Sequence, residues 1–137
     1  MFKKLFTITF FVFLFVFAAG IAKAQSLYFC EQYTDHEINV SDVFSIGSGG
    51  GYFCCMIDLR GTGQTLGTSS VKLKISKLNS DGDYTSIDSK AWDVKRDWDY
   101  VYFNEFYTFY SSGYYKVTAY TSGGSYIASG YVTVKYQ

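Results

Sequence analysis

The sequence has few of the side chains that catalytic sites most often use. His36 is the only histidine, and it lies between Asp35 and Glu37 in a polar stretch, where a solvated side chain is the simplest interpretation. No Gly-x-Ser-x-Gly nucleophile elbow is present, so a catalytic triad would depend on this one poorly placed histidine. We therefore expect that the protein is not an enzyme.

Metal-binding patterns are equally sparse. The three cysteines, Cys30, Cys54 and Cys55, lack the C-x-x-C spacing that lets two thiolates reach one zinc ion. Residues 79–83 read Asn-x-Asp-x-Asp, the alternation of oxygen ligands that opens a calcium loop, but Lys90 stands where the bidentate glutamate belongs. A polar hairpin turn is the better interpretation, and we expect neither a metal ion nor another cofactor.

The N-terminus has the pattern of an export signal. The chain opens with two lysines, and residues 5–22 then carry no charge and consist largely of Phe, Leu, Val and Ile. The small-x-small triplet Ala22-Lys23-Ala24 follows, so we expect residues 1–24 to be a secretory signal peptide cleaved after Ala24. A retained membrane anchor is the alternative, because the uncharged run is marginally long enough to span a bilayer.

Cleavage would leave residues 25–137 as one domain of a secreted, periplasmic or cell-surface protein. That domain has 113 residues, with nine basic against twelve acidic side chains, because three of the lysines lie in residues 1–24. A net charge of about −3 offers no bulk attraction to nucleic acid or to an anionic membrane. We expect contact with a membrane only through the signal peptide, before cleavage.

No long segment has helical spacing, whereas alternation of apolar and polar residues recurs between clusters of Gly, Ser, Asn and Asp. The pattern predicts seven strands: residues 38–46, 52–59, 71–78, 84–94, 100–109, 114–121 and 126–136. The strand at 84–94 is expected to be bent or at an edge. Short strands with regular turns predict an all-β fold of two packed antiparallel sheets.

One segment resembles a known family. Residues 109–120 are similar to the E–F corner of immunoglobulin-like domains, in which a Gly-x-Tyr-x-hydrophobic pattern opens strand F, here Gly113, Tyr115 and Val117. Residues 126–134 resemble the last strand. Val117 takes the place of the second core cysteine, and the third predicted strand has no tryptophan. The resemblance implies a generic immunoglobulin-like sandwich of about seven strands, a fold that carries no function by itself.

Export makes a disulfide bond plausible and leaves one thiol over. Side chains alternate between two faces along a strand, and Phe53 and Cys55 share the apolar face, so we expect Cys55 to be buried and Cys54 to face outward. The same alternation puts Cys30 on the outer side of residues 27–30. We predict a Cys30–Cys54 bridge closing a loop of about 25 residues, worth about 3 kcal/mol in the chain-entropy model. A Cys30–Cys55 bridge, an intermolecular bridge and a reduced protein remain alternatives.

Aromatic placement gives the one positive hint of function. We predict an exposed aromatic surface formed by Trp92, Trp98, Tyr100, Tyr102, Tyr114 and Tyr120. Such a surface suits stacking on sugar rings or a protein interface, although aromatic residues could also simply fill and cover a small sandwich.

Three functions follow as hypotheses. The first is a secreted, non-catalytic binding module for a glycan or a protein partner of the cell envelope. The second is a structural subunit of an extracellular assembly that self-associates through an unprotected edge strand, expected at residues 126–136. The third is a small secreted inhibitor or effector.

Overall fold

The computed structural model describes residues 26–137, so the predicted signal peptide, residues 1–24, lies outside the described residues. Within this range the chain forms nine strands and no helix: β1 Ser26–Tyr33, β2 Glu37–Val40, β3 Val43–Ile46, β4 Cys54–Asp58, β5 Ser70–Leu78, β6 Tyr84–Asp93, β7 Tyr100–Phe103, β8 Gly113–Thr121 and β9 Tyr126–Tyr136. Residues 26–137 therefore contain no helix that could cross a membrane.

The strands form two sheets, as predicted. One has the order β2-β1-β4-β7 and the other the order β3-β9-β8-β5-β6. Every neighbouring pair is antiparallel except β3 and β9, which run parallel. The sandwich is confirmed, but the prediction of wholly antiparallel sheets was wrong for this one pair.

The predicted strand count was low for two reasons. Residues 38–46 form two strands, because the chain leaves the four-stranded sheet after β2 and joins the five-stranded sheet as β3. Ser41 marks the break, since its Oγ accepts the Val43 N–H at 3.0 Å in a local turn that competes with strand pairing. β1 was not among the seven predicted strands, although its alternation was recognised over residues 27–30.

The edges of the sheets also differ from the prediction. Residues 126–136 form β9, which lies between β3 and β8 and is not an edge strand. β6 is the long edge strand, as expected for residues 84–94, and it contains a bulge at Ile87, because Ile75 pairs with Asp88 and Ser76 with Ser86. β3 pairs with residues 133–136 of β9, so the expectation of an unprotected edge was wrong for this part of the strand.

The sandwich is tight on one side and open on the other. Where β1 passes β9, a Cβ added to Gly130 would lie only 2.4 Å from the carbonyl oxygen of Leu27, so only glycine allows this approach. On the far side the two sheets end in β6 and β7, and no further strand covers β7 within residues 26–137. The candidate site lies on this open side.

The core confirms the immunoglobulin-like corner. The Tyr115 side chain is 2 % exposed, and its hydroxyl donates to the Ser111 carbonyl oxygen at 2.7 Å, four residues upstream. This backward bond is the defining contact of a tyrosine corner at the start of strand F. Val117 is fully buried at the position predicted for the missing core cysteine. Together with the two-sheet topology, these contacts make the fold immunoglobulin-like.

Candidate functional site

An aromatic groove of about 450 Å³ runs along the free edge of β7, on the open side of the sandwich. We call it the edge groove. Its lining residues come from the end of β6, the following loop and β7: Trp92, Asp93, Trp98, Tyr100, Val101, Tyr102, Phe103 and Asn104. Val101 and Phe103 are buried, whereas Trp98 and Tyr102 are exposed, so the groove offers large rings to solvent.

The loop that carries Trp98 is held in place by backbone hydrogen bonds. The Trp98 carbonyl accepts the Leu66 N–H at 2.8 Å, and the Asp99 carbonyl accepts the Leu59 N–H at 2.8 Å. The Arg96 carbonyl accepts the Gly67 N–H at 2.9 Å. These bonds fix the backbone that carries the Trp98 ring at the groove.

Trp92 joins the two sheets at the inner wall of the groove. Its ring lies 5.5 Å from the Phe103 ring, and the Lys90 ammonium sits 4.2 Å above it in a cation–π contact. The indole Nε1 is buried and has no hydrogen-bond partner among the described residues. This wall of the groove therefore contains an unsatisfied donor. A buried, unpaired N–H of this kind costs about 1–3 kcal/mol.

Tyr102 is supported from behind by a stacked ring. The Tyr33 and Tyr102 rings lie 3.9 Å apart and nearly parallel. Asn104 fixes Tyr33, because its Oδ1 accepts the Tyr33 N–H and its Nδ2 donates to the Tyr33 carbonyl, both at 3.1 Å. β4 pairs with β1 only as far as Cys30, so at Tyr33 the Asn104 amide bonds to the backbone in place of a neighbouring strand. These two bonds hold Tyr33 against the Tyr102 ring.

Tyr100 belongs to a polar network on the outer face of the four-stranded sheet. Its hydroxyl lies 3.2 Å from that of Tyr28, and both reach the Glu37 carboxylate at 3.4 Å. Burial raises the pKa of both phenols, and the bond from Tyr28 raises the pKa of Tyr100 further. Arg60 lies 4.1 Å from the Tyr100 ring centre, and its guanidinium binds both carboxylate oxygens of Asp58.

The six predicted aromatic residues do not form one surface. Trp92, Trp98, Tyr100 and Tyr102 line the edge groove. Tyr114 and Tyr120 lie on β8 and face outward from the five-stranded sheet, because the alternate residues Tyr115 and Ala119 are buried in the core. The prediction of a contiguous patch was wrong because β8 lies inside one sheet, while β7 is the edge of the other.

Two contributors to the groove were missed. Tyr33 and Asn104 were not predicted, because the contact between them joins residues 71 positions apart. The sequence pattern predicts a long strand over residues 100–109 that includes Asn104, whereas β7 ends at Phe103. Sequence alternation gives no signal for a side chain that pairs with the backbone of a remote strand.

Cys30 and Cys54 lie directly opposite each other in the pairing of β1 with β4. Both face the outer side of the four-stranded sheet, as predicted, but neither is exposed, because Tyr28, Tyr33 and Tyr100 cover the pair. All three cysteines are thiols in this structure. Burial and the neighbouring Cys30 raise the pKa of Cys54 to about 12. Cys55 is buried in the main core, where burial raises its pKa.

Other polar groups singled out in the sequence have local roles. The Asn79 Oδ1 accepts the N–H groups of Asp81 and Asp83, which closes the hairpin turn between β5 and β6. His36 is exposed, and its Nδ1 lies 2.7 Å from the Asp35 carboxylate. Neither lies in the edge groove.

No protein-family model matches the sequence, and neither does any curated protein. Among solved structures, an immunoglobulin-like protein from Pseudomonas aeruginosa aligns over 84 % of this chain and 99 % of its own, with 11 % identity and a TM-score of 0.49. A superoxide reductase (neelaredoxin) from Ignicoccus hospitalis aligns over 84 % and 81 %, with 9 % identity and a TM-score of 0.40. Both likenesses are distant, so the function must be inferred from this chain's own residues.

Proposed function

We propose that the protein is a secreted, non-catalytic binding module that holds a glycan in the edge groove. The observation that carries the proposal is the convergence of Trp92, Trp98 and Tyr102 on one groove at the open side of the sandwich. The C–H faces of a sugar ring pack well against such side chains, because a large apolar ring leaves water at little entropic cost.

Polar groups beside the rings supply hydrogen bonds. The Tyr102 hydroxyl makes no hydrogen bond to any other residue of the range 26–137, and Asn104 lies beside it among the lining residues. A few placed polar groups among apolar rings are typical of small-ligand sites. His36 and the thiols lie outside the groove, so the proposal assigns no chemical step to it.

A structural subunit is the second candidate, and the edges of the sheets make it weaker. β6 is a ten-residue edge strand, long enough to pair with another chain. It is interrupted by the bulge at Ile87, and Asp88 and Lys90 point to the core side, opposite Ile75 and Leu73. Bulges and inward-pointing charges are the devices that prevent edge-to-edge pairing. The inhibitor hypothesis has no specific observation in its favour.

A glycan array followed by calorimetry on the best ligand tests the proposal. Trp98 and Tyr102 are 39 % and 43 % exposed, which for rings of this size leaves about 60–100 Å² each for a ligand to cover. At about 25 cal/mol per Å², the Trp98→Ala/Tyr102→Ala variant should bind at least about tenfold more weakly.

The matched control is Tyr136→Ala, which removes a more exposed ring at the opposite edge of the five-stranded sheet. It should leave the affinity unchanged. No glycan bound by the wild type, or equal losses in both variants, would refute the proposal.

We also propose that export converts Cys30 and Cys54 into a disulfide, with Cys55 left as a core thiol. Their direct opposition across β1 and β4 supports this pairing. The reaction removes two protons and two electrons, which pass to a thiol-oxidising enzyme of the exporting compartment. Peptide mapping of the exported protein without reductant should recover a Cys30–Cys54 crosslink, and a crosslink to Cys55 would contradict it.

A further inference from the structure

The outer face of the five-stranded sheet carries an unpartnered set of cations. Register fixes its members, because residues directly opposite on neighbouring strands share a face. Lys72 lies opposite Tyr120, Lys74 opposite Thr118, and Lys116 opposite Ser76 on one side and Tyr131 on the other. Their neighbours along the strands are buried in the core. We call this surface the lysine face; it consists of Lys72, Lys74, Lys116, Lys135, Tyr84, Tyr114, Tyr120, Tyr126 and Tyr131.

The strand positions of the lysine face include one carboxylate, that of Asp93, which ends β6 opposite Ser70. Asp88, the other acid of β6, points to the opposite face, across from Ile75. Asp81 and Asp83 lie in the turn at one end, and Asp93 closes β6 at the other. Four of the nine basic side chains of residues 25–137 lie on this face, namely Lys72, Lys74, Lys116 and Lys135.

None of these lysines has an ion-pair partner. In the part of the chain that the structure describes, ion pairs join only His36 with Asp35 and Arg60 with Asp58. Like charges two residues apart on one strand repel, because alternate residues of a strand are only about 7 Å apart. Binding of a polyanion across an unpaired row of cations such as Lys72 and Lys74 is therefore electrostatically favourable.

Four of the tyrosines of the lysine face contact each other in pairs. The Tyr84 and Tyr131 rings meet edge to face at 5.6 Å, and those of Tyr120 and Tyr126 at 6.4 Å. The Lys116 ammonium lies 5.5 Å from the Tyr131 ring centre. Each pair places one ring edge against the face of the other, so the faces are partly used within the protein. The Tyr126 hydroxyl bonds to the Ser129 Oγ at 2.9 Å, and the other phenol hydroxyls of this face make no hydrogen bond within residues 26–137.

A groove of about 410 Å³ crosses one end of the lysine face. Lys72, Lys74 and Tyr120 line one side, and residues 121–124 of the turn between β8 and β9 line the other. Two ammonium groups and a phenol thus converge on a concave site whose remaining wall is a small-residue turn. It lies on the opposite side of β5 and β8 from the core and does not include the edge groove.

We propose that the lysine face binds an anionic polysaccharide, one whose sugars carry carboxylate or sulfate groups. Cations spaced along a strand match a polymer with repeated charges, and phenol hydroxyls match its free hydroxyl groups. Single-stranded nucleic acid fits less well, because its bases need open ring faces for stacking, and the paired tyrosines offer few. The ligand class deepens the proposed glycan-binding function, but the residues are independent of the edge groove.

The test measures binding of the exported protein to polygalacturonate by calorimetry at 50 and 200 mM salt. Lys72→Gln/Lys74→Gln should bind about 2- to 30-fold more weakly, since it removes two exposed ion pairs that contribute roughly 0.2–1 kcal/mol each, and its salt dependence should be shallower. The control Lys95→Gln/Arg96→Gln removes the same charge from the loop near Trp98 and should bind like the wild type. A Lys72→Arg/Lys74→Arg variant should retain binding.

Three outcomes would overturn the inference: no binding of polygalacturonate, equal losses in the two charge-removing variants, or tighter binding of oligo-dT or polyglutamate than of polygalacturonate. The two proposals fail separately. Trp98→Ala/Tyr102→Ala should leave polygalacturonate binding intact. A wild-type protein that binds polygalacturonate but no ligand in the edge groove would therefore refute only the proposed function. Loss of polygalacturonate binding alone refutes only the lysine face.

Discussion

Tyr115→Phe tests whether the corner hydrogen bond stabilises the fold. The substitution keeps the ring, whose centre lies 4.8 Å from that of Phe109, and removes only the hydroxyl. That hydroxyl donates to the Ser111 carbonyl at 2.7 Å and contacts the Ser111 Oγ at 3.0 Å, while Lys77 also donates to the same Oγ. Loss of the bond would leave a partly buried carbonyl without its donor.

An unsatisfied buried carbonyl costs about 1–3 kcal/mol, and Ser111 is only half-buried, so water should compensate part of it. We expect a loss of about 1–2 kcal/mol in the free energy of unfolding, seen as a lower urea midpoint with an unchanged m-value. The melting temperature should fall by about 4–12 °C for a domain of this size.

Tyr114→Phe is the matched control, because the neighbouring side chain is 58 % exposed and its hydroxyl contacts nothing else among residues 26–137. Its effect should stay within about 0.5 kcal/mol. Equal urea midpoints for the two variants would refute the reasoning and would mean that the corner bond adds nothing to the packing of the ring.

Two further predictions concern packing and pH. Gly130→Ala should destabilise by about 1–3 kcal/mol or more in urea unfolding, because its Cβ would clash with the Leu27 carbonyl, whereas Gly123→Ala has no atom closer than 3.9 Å and should be neutral. For the reduced protein, the raised pKa of Cys54, about 12, means that the folded state holds this proton more tightly than the unfolded chain. Stability should therefore be complete below about pH 9 and fall as the pH rises from 9 toward 12, with part of this loss absent once Cys30 and Cys54 are oxidised. A urea midpoint of the reduced protein that stays constant from pH 8 to 10.5 would contradict it.

The sequence predicted what depends on local pattern. β5, β8 and β9 match their predicted ranges within a residue, because apolar inward residues alternate with more exposed outward residues over most of their length. The corner at Tyr115 was found for the same reason, since its hydrogen bond reaches back only four residues.

Features that depend on distant pairing were not predicted. Nothing in the alternation of residues 126–136 shows that β3 will cover the end of β9 in parallel, and so the wrong edge was expected. The burial of Cys54 depends on Tyr28, Tyr33 and Tyr100, which reach it from two other strands. The six residues of the predicted aromatic surface lie in two places for the same reason. Period-two alternation shows which face of its strand a side chain occupies, but not which sheet the strand joins.

The position of β1 would tie removal of the predicted leader to folding. Ser26 already pairs with Asp58, at the first residue of a strand that lies between two others. If the leader ends at Ala24, as the sequence predicts, a single residue separates the scissile bond from the sheet. A peptidase needs an extended substrate, and β4 needs the same stretch of chain. Processing and closure of the four-stranded sheet therefore compete, and a leader removed late would delay the step that buries Cys30 and Cys54.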